Sequence, residues 1–294
     1  MVSLAVAVSA FAFSFNGARA ENSDPASPTV SAAENTVAAT GGDAMAKLFS
    51  FANGYHRSEN NRARNKYRHP VETLLWFGLR ENMTVVEISP GGGAWYTEIL
   101  APFLKDKGVY YAAGYALDSK GAYQSRNARR LREKLKANTM LYGKVIHSEF
   151  DQGKYDIAPE GSADMVLTFR NVHNWVARDY ADAAFASFFR ALKPGGILGL
   201  VEHRGDPDVE QDPKVRSGYV RQDVVIALAE AAGFKLVGGS EINANPKDTK
   251  DYAHGVWSLP PSLRSVIPNA DILPKDKYIE IGESDRMTLK FIKP

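Results

Sequence analysis

The sequence contains no cysteine. Disulfides, thiolate metal sites and a cysteine nucleophile are excluded together. An excess of either charge is missing too: 36 basic side chains face 34 acidic ones, a formal +2. That balance gives nucleic acid no general electrostatic handle. Beyond the first residues no apolar run approaches the roughly 18 uninterrupted positions that a bilayer span needs, so no transmembrane segment is expected in the mature chain. No repeat of solenoid period is visible, and no stretch after residue 43 has the length and bias of an interdomain linker. What remains is a mixed globular composition, 44% hydrophobic and 24% charged over 294 residues. Such a chain is not disordered throughout, collagenous or a coiled coil, and one domain is expected over residues 44–294.

Two N-terminal stretches stand apart. Val2 to Phe15 holds almost only Val, Leu, Ala, Phe and small Ser, and Ala18-Arg19-Ala20 follows, the small-x-small pattern that a signal peptidase reads. No Lys or Arg stands near Met1. Residues 1–20 read as a cleaved signal peptide, with a periplasmic or secreted product. Residues 21–43, rich in Ser, Thr, Ala, Pro and Asn with no apolar period, read as a flexible segment.

From Pro70 onward, short apolar runs alternate with longer helical stretches, which predicts an open α/β sheet. ETLLWFGL reads as a helix ended by Gly78. The strand-like Thr84 to Ile88 enters Pro90-Gly91-Gly92-Gly93, and WYTEILAPFL then starts a helix. Further strands are expected at Val109 to Ala112, Val145 to Ser148, Ala163 to Phe169, Ile197 to Glu202, Phe234 to Ile242 and Arg286 to Ile292. Helices are expected at Ser119 to Ala137, Tyr180 to Leu192 and Gln222 to Ala232. Lys193-Pro194-Gly195-Gly196 reads as a turn, and Pro268 to Pro274 as an irregular surface excursion.

The glycine loop points most directly to chemistry. Glycine lets the backbone turn sharply and approach a ligand, while the N–H groups of the following helix favour its polar edge. Counted from Gly91, the sixth position is Tyr96 rather than the glycine of a dinucleotide fingerprint, which counts against NAD. No Gly-Lys-Ser/Thr follows, so a Walker loop fits less well still.

With these segments in order, the chain resembles the class I S-adenosylmethionine-dependent methyltransferases. It is more closely similar to a family of exported, predicted methyltransferases of Gram-negative bacteria. The likeness rests on HRSENNRARNKYRHP (56–70), TVVEISPGGGAWYTEILAPFL (84–104), LTFRNVHNW (167–175) and ALKPGGILGLVEHR (191–204). It continues through SGYVRQDVVIALAEAAGFKL (217–236), EINANPKDTKD (241–251) and GESDRMTLKFIKP (282–294). The resemblance implies a Rossmann-like class I methyltransferase fold, a seven-stranded, mostly parallel sheet with an antiparallel last strand and helices on both faces. It implies S-adenosyl-L-methionine as cofactor, with Glu87, Pro90, Gly91 and Gly93 around its methionine and ribose portion and Asn171 beside them. Asp151 would receive the adenine amino group, or Phe150 would make the apolar contact. Where many relatives place a ribose-binding acid, this chain reads Ala113 to Asp118, and Asp118 either reaches the ribose from a displaced register or the bond is missing. Ala94 intervenes between the triple glycine and Trp95-Tyr96, where relatives are expected to place Trp directly after Gly.

The segment after the fourth strand would form the substrate wall. Asn174 can donate or accept, Trp175 can stack, and His173 can take a proton near neutral pH. Structural roles are the competing reading. Glu202 and His203, ending the fifth strand, form a second acid–base cluster or pair with Arg204 or Arg170 at a solvated edge. His173 is the first candidate base and His203 the second. The same residues lack the spacing of a zinc motif, so no metal is assigned. Arg64 and Tyr67 would meet substrate from a lid, or sit on an amphipathic scaffold helix, with Arg57 and Arg62 left in solvent. Lys120 to Lys136 carries seven positive residues against Glu133 alone but no interleaved aromatics, and reads as a solvated face. Trp257 either closes the pocket or pins a loop. The expected function is methyl transfer to a small-molecule or cell-envelope acceptor. The alternative is a noncatalytic periplasmic ligand-binding protein on the same fold.

Overall fold

The computed structural model describes residues 32–264 and 273–294. The leader expected over 1–20, the first part of the segment 21–43 and most of the excursion 268–274 lie outside the described residues. From Ala32 the chain is helical, where an irregular course was expected through residue 43. Alanine, the strongest helix former, is the commonest residue of that stretch.

Helix α1 (Ala32–Asn53) precedes α2 (Glu59–Arg62), α3 (Asn65–Arg68) and α4 (Pro70–Phe77). Pro70 occupies the first turn of α4, where its missing N–H costs nothing, and Gly78 closes the helix at φ 89°. Then come β1 (Thr84–Ile88), α5 (Thr97–Leu104), β2 (Val109–Gly114), α6 (Ala122–Ala137), α7 (Thr139–Tyr142) and β3 (Ile146–Glu149). The second half runs β4 (Ala163–Phe169), α8 (Val172–Ala177), α9 (Ala181–Ala191), β5 (Leu192–His203), α10 (Gln222–Ala231) and β6 (Lys235–Ser240). It ends with α11 (Lys275–Ile281) and β7 (Arg286–Ile292).

The strands form one seven-stranded sheet in the order β3-β2-β1-β4-β5-β7-β6. Pairs from β3 to β5 are parallel, and β7 lies antiparallel between β5 and β6. This is the Rossmann-like arrangement expected from the resemblance. Alternation along the central strands feeds two apolar layers. Val85, Met165 and Leu167 join α4, α5 and α6 on one face, while Val86, Ile88 and Val166 join α9 and α10 on the other. Among the described residues no helix is long and apolar enough to cross a membrane.

One local expectation is corrected. Lys193 to Gly196 is not a free turn but a bulge inside β5: Ala163 pairs with Leu192 and Met165 with Ile197. The end of the chain holds it there, with Gly195 N donating to Lys293 O and Lys293 N to Gly196 O. The segment after β4, left without an assigned element by the sequence, forms α8.

Candidate functional site

The chain leaves β1 toward β2 and leaves β4 toward β5, so the carboxyl ends of β1 and β4 flank the switch point where open α/β sheets bind ligands. A cavity of about 480 Å³ opens there. The first residue beyond each strand, Ser89 (φ 49°) and Arg170 (φ 62°), has left-handed backbone, which a non-glycine residue adopts only under constraint. Both line the cavity. Asn171 latches the two strand ends, its Nδ2 donating to Ile88 O at 3.1 Å and to Thr168 Oγ1 at 3.2 Å.

The glycines of the loop have separate duties. Gly91 takes φ 70°, lines the cavity and has open space where a Cβ would stand. Gly92 lets α6 approach, since a Cβ there would come within 2.9 Å of Arg130 Cβ and Asn127 Oδ1. Gly93, expected beside the cofactor, is not in the cavity wall; its carbonyl accepts from Lys134. Ala94 sits at φ 51°, a position glycine would fill without strain.

Glu87 lies at the cavity floor, 3% exposed. Burial pushes its carboxyl up to about 7, against the hydroxyls of Tyr110 and Thr97 that donate to it. Pro90 and Asn174 are in the wall, as are Tyr96 and Phe169, whose rings stack at 3.5 Å. Trp257 also lines the cavity, edge-on to His173, so it closes the pocket rather than only pinning a loop.

His173 and His203 line the same cavity, with ring centroids 5.4 Å apart. Fully buried Glu202 accepts from His173 Nδ1 at 3.0 Å and from His203 N at 2.8 Å. Glu202 therefore faces the two histidines from behind the cavity wall, and it does not pair with Arg204, which goes to Glu241 and Asp285. With Nδ1 protonated toward Glu202, a tautomer assigned from the network, His173 Nε2 accepts from Asn174 Nδ2 at 2.9 Å. Both ring nitrogens of His173 are taken. Among the described residues His203 has only Nδ1 engaged, 2.5 Å from Ser284 Oγ. Burial first, then His173, Arg286 and Arg170, hold His203 well below the ordinary histidine range, so it is neutral. Ligand-capable atoms of His173, Glu202 and His203 lie within 4.8 Å of one another. Glu202 already faces N–H donors, however, and the nearby arginines repel cations.

The approach segment is tied down through its arginines, while Ser58 to Asn60, Ala63 and Lys66 stay exposed. Arg57, expected in solvent, is 1% exposed and meets Glu98 Oε2 at 3.1 Å. Asn61 Nδ2 donates to the same oxygen at 2.9 Å, and Lys134 pairs with Oε1. Arg62 is half-buried and donates to Arg57 O. Arg64 lines the cavity while bound to Glu283, which Arg68 and Arg286 also hold. Tyr67 does not reach the cavity; it packs against Gly282 and lines a separate one.

Two further assignments move. Trp175 (1% exposed) and Phe150 (0% exposed) are core residues, their rings 5.4 Å apart and both packed on Phe188. About half a turn of α8, the two residues from His173 to Trp175, puts the first at the cavity and the second beneath it. Asp118 and Asp151 line a neighbouring cavity of about 640 Å³ that shares Arg178 with the first. Asp118 is exposed and pairs with Lys154, while Asp151 accepts from Ser119 Oγ at 2.6 Å. At the end of β2 the main wall carries Tyr115 and no carboxylate. Sequence reading missed Arg286, Ser284, Tyr115 and Tyr96 as wall residues, and saw Arg170 only as a surface partner. All but Tyr115 lie inside segments that carried the resemblance, Tyr96 in 84–104, Arg170 in 167–175, and Ser284 and Arg286 in 282–294. Arg286 opens the last strand and Ser284 lies two residues ahead of it, both far from the other wall residues in sequence.

No protein-family model matches this chain, and no curated protein matches it. Among solved structures it is similar to a SAM-dependent methyltransferase from Aquifex aeolicus, at 20% identity over 62% of this chain and 87% of that one, TM-score 0.47. It is also similar to an arsenic(III) S-adenosylmethionine methyltransferase from Chlamydomonas reinhardtii, at 15% identity over 72% and 63% of the two chains, TM-score 0.45. A third is the cyclase SpnF, at 14% identity over 86% and 93%, TM-score 0.49. These are likenesses of fold, and the fold class rests on the strand order itself.

Proposed function

We propose that the protein is an S-adenosylmethionine-dependent methyltransferase that methylates a small-molecule or cell-envelope acceptor. The observation that carries this reading is the cavity at the β1–β4 switch point, opening beside a Gly91 turn at φ 70°. Its volume falls in the roughly 300–1,000 Å³ range of small-molecule sites. Ser89 Oγ, buried and without a partner among the described residues, supplies an unmet polar group in the wall. Glu87 and the Gly91 turn would hold the methionine and ribose portion. The neighbouring cavity, joined through Arg178, would take the adenine side, with Asp118 and Asp151 as its acids. Bound cofactor would supply an electrophilic methyl group on a sulfonium.

This chain's own residues do the rest. Trp257, Tyr96 and Phe169 exclude water, and the walls hold the acceptor in line. His203, neutral and with Nδ1 directed to Ser284, has Nε2 available to take the acceptor's proton. His173 is tied by Glu202 and Asn174 and positions the wall. The order of candidate bases is therefore reversed from the sequence expectation. The leader pattern at 1–20 supports placing the mature enzyme in the periplasm.

Incubation with methyl-labelled cofactor and cell-envelope extract tests the assignment. His203→Gln is expected to cut label transfer by about 100-fold or more while cofactor binding persists. Transfer that survives His203→Gln undiminished removes the residue from the chemistry.

A further inference from the structure

Four arginines line the main cavity, Arg64, Arg170, Arg178 and Arg286, against one carboxylate, Glu87. Behind this wall lies Arg68, 2% exposed, over the Trp95 ring at 4.6 Å. One further carboxylate, Glu283, is shared by Arg64, Arg68 and Arg286. Burial opposes its ionisation, but Arg286, Arg68 and Arg64 hold it well below the ordinary carboxylate range, so it contributes a single negative charge. Among the described residues, Arg64 Nη2, Arg68 Nη1 and Nη2, and Arg286 Nε are enclosed without an acceptor. Arg170 is half-buried in the wall, carried there by its left-handed turn, and finds neither a hydrogen-bonded nor an ion-paired acceptor among them. Burial, and then Arg286, bring its guanidinium down to about 10.

Buried donors without acceptors are costly, and buried charge more so. A cluster of this kind persists where a ligand completes it. The cofactor cannot neutralise it: its sulfonium and ammonium groups outnumber its single carboxylate, so it adds a positive charge. We infer that the methyl acceptor carries an oxyanion, a carboxylate or a phosphate, seated on the Arg170 and Arg286 guanidiniums. This rests on the methyltransferase reading. The planar guanidinium fork matches both kinds of oxyanion. Trp95, Tyr96, Phe169 and Trp257, in the same wall, provide an apolar surface for the rest of the acceptor.

Calorimetric titration of the purified protein with benzoate, inorganic phosphate and uncharged benzamide, each with and without saturating S-adenosylhomocysteine, tests this. Benzoate or phosphate is expected to bind, and benzamide to bind on the order of tenfold more weakly or not at all. Arg170→Gln unpairs nothing among the described residues, so the fold should survive, as its circular dichroism will report. It is expected to weaken the anion about tenfold or more and to shift S-adenosylhomocysteine binding by less than about threefold, with Arg170→Lys restoring part of the loss. Equal binding of benzoate and benzamide, or anion binding indifferent to Arg170→Gln, overturns the inference. Anion binding abolished by S-adenosylhomocysteine puts the oxyanion where the cofactor carboxylate goes, and also overturns it. Arg170-dependent anion binding in a protein that takes up no S-adenosylhomocysteine sinks the methyltransferase reading and leaves the oxyanion site standing.

Discussion

Glu87 has a carboxyl pushed up to about 7 from an ordinary 4.5 by burial. Between those values the folded chain holds a proton that the unfolded chain releases, so this group's contribution to stability falls as pH rises through the window. Above pH 7 the cost is on the order of 3 kcal/mol. Glu87→Gln keeps an acceptor for Tyr110 and Thr97 and removes the charge. Urea denaturation at pH 5 and pH 8 should show a stability loss on raising pH that is smaller in the variant than in the wild type. A cationic ligand has the opposite effect on the same proton: S-adenosylmethionine should bind wild type more tightly at pH 8 than at pH 6. An unchanged affinity separates Glu87 from the ligand. At this scale the sequence marked Glu87, Gly91 and both histidines because they sit at or just beyond strand ends in recognisable segments. It misplaced Trp175, which α8 turns into the core, and it could not show that Arg57 would be buried against Glu98.

The short helices α2 and α3 read in the sequence as either lid or scaffold, and the contacts favour the scaffold. Arg57, Arg64 and Arg68 fasten this stretch to Glu98 of α5 and to Glu283 ahead of β7. Removing one partner of a buried pair leaves a buried charge, which costs about 3–5 kcal/mol. Glu98→Ala should therefore lower stability by that amount in chemical denaturation, and Arg57→Leu combined with Glu98→Leu should recover part of it. A Glu98→Ala variant as stable as wild type would mean that the segment is held by other contacts. Elements whose apolar spacing was regular were legible: β4 and β7 match their expected limits, and α9 and α10 come within a residue or two. The β5 bulge was not, because Lys193 to Gly196 carries every local mark of a turn. Pairing with the distant chain end keeps it in the strand.

The molecule as a whole is one parallel-centred sheet whose switch point places a glycine turn, a buried carboxyl, two histidines and a set of arginines around a single cavity. The sheet was legible because alternating apolar runs specify α/β layering. The arginine wall was not, because β4, α3 and β7 assemble it across more than 200 residues. A ligand bound at a hundred times its Kd stabilises the folded state by about 2.7 kcal/mol, which for a domain of this size raises Tm by roughly 5–10 °C. Calorimetric titration of the purified wild-type protein with S-adenosylmethionine is the most direct measurement. The expected result is saturable binding at one site, displaced by S-adenosylhomocysteine and not by ATP. No binding of either sulfur compound, in protein shown to be folded, would contradict the assignment.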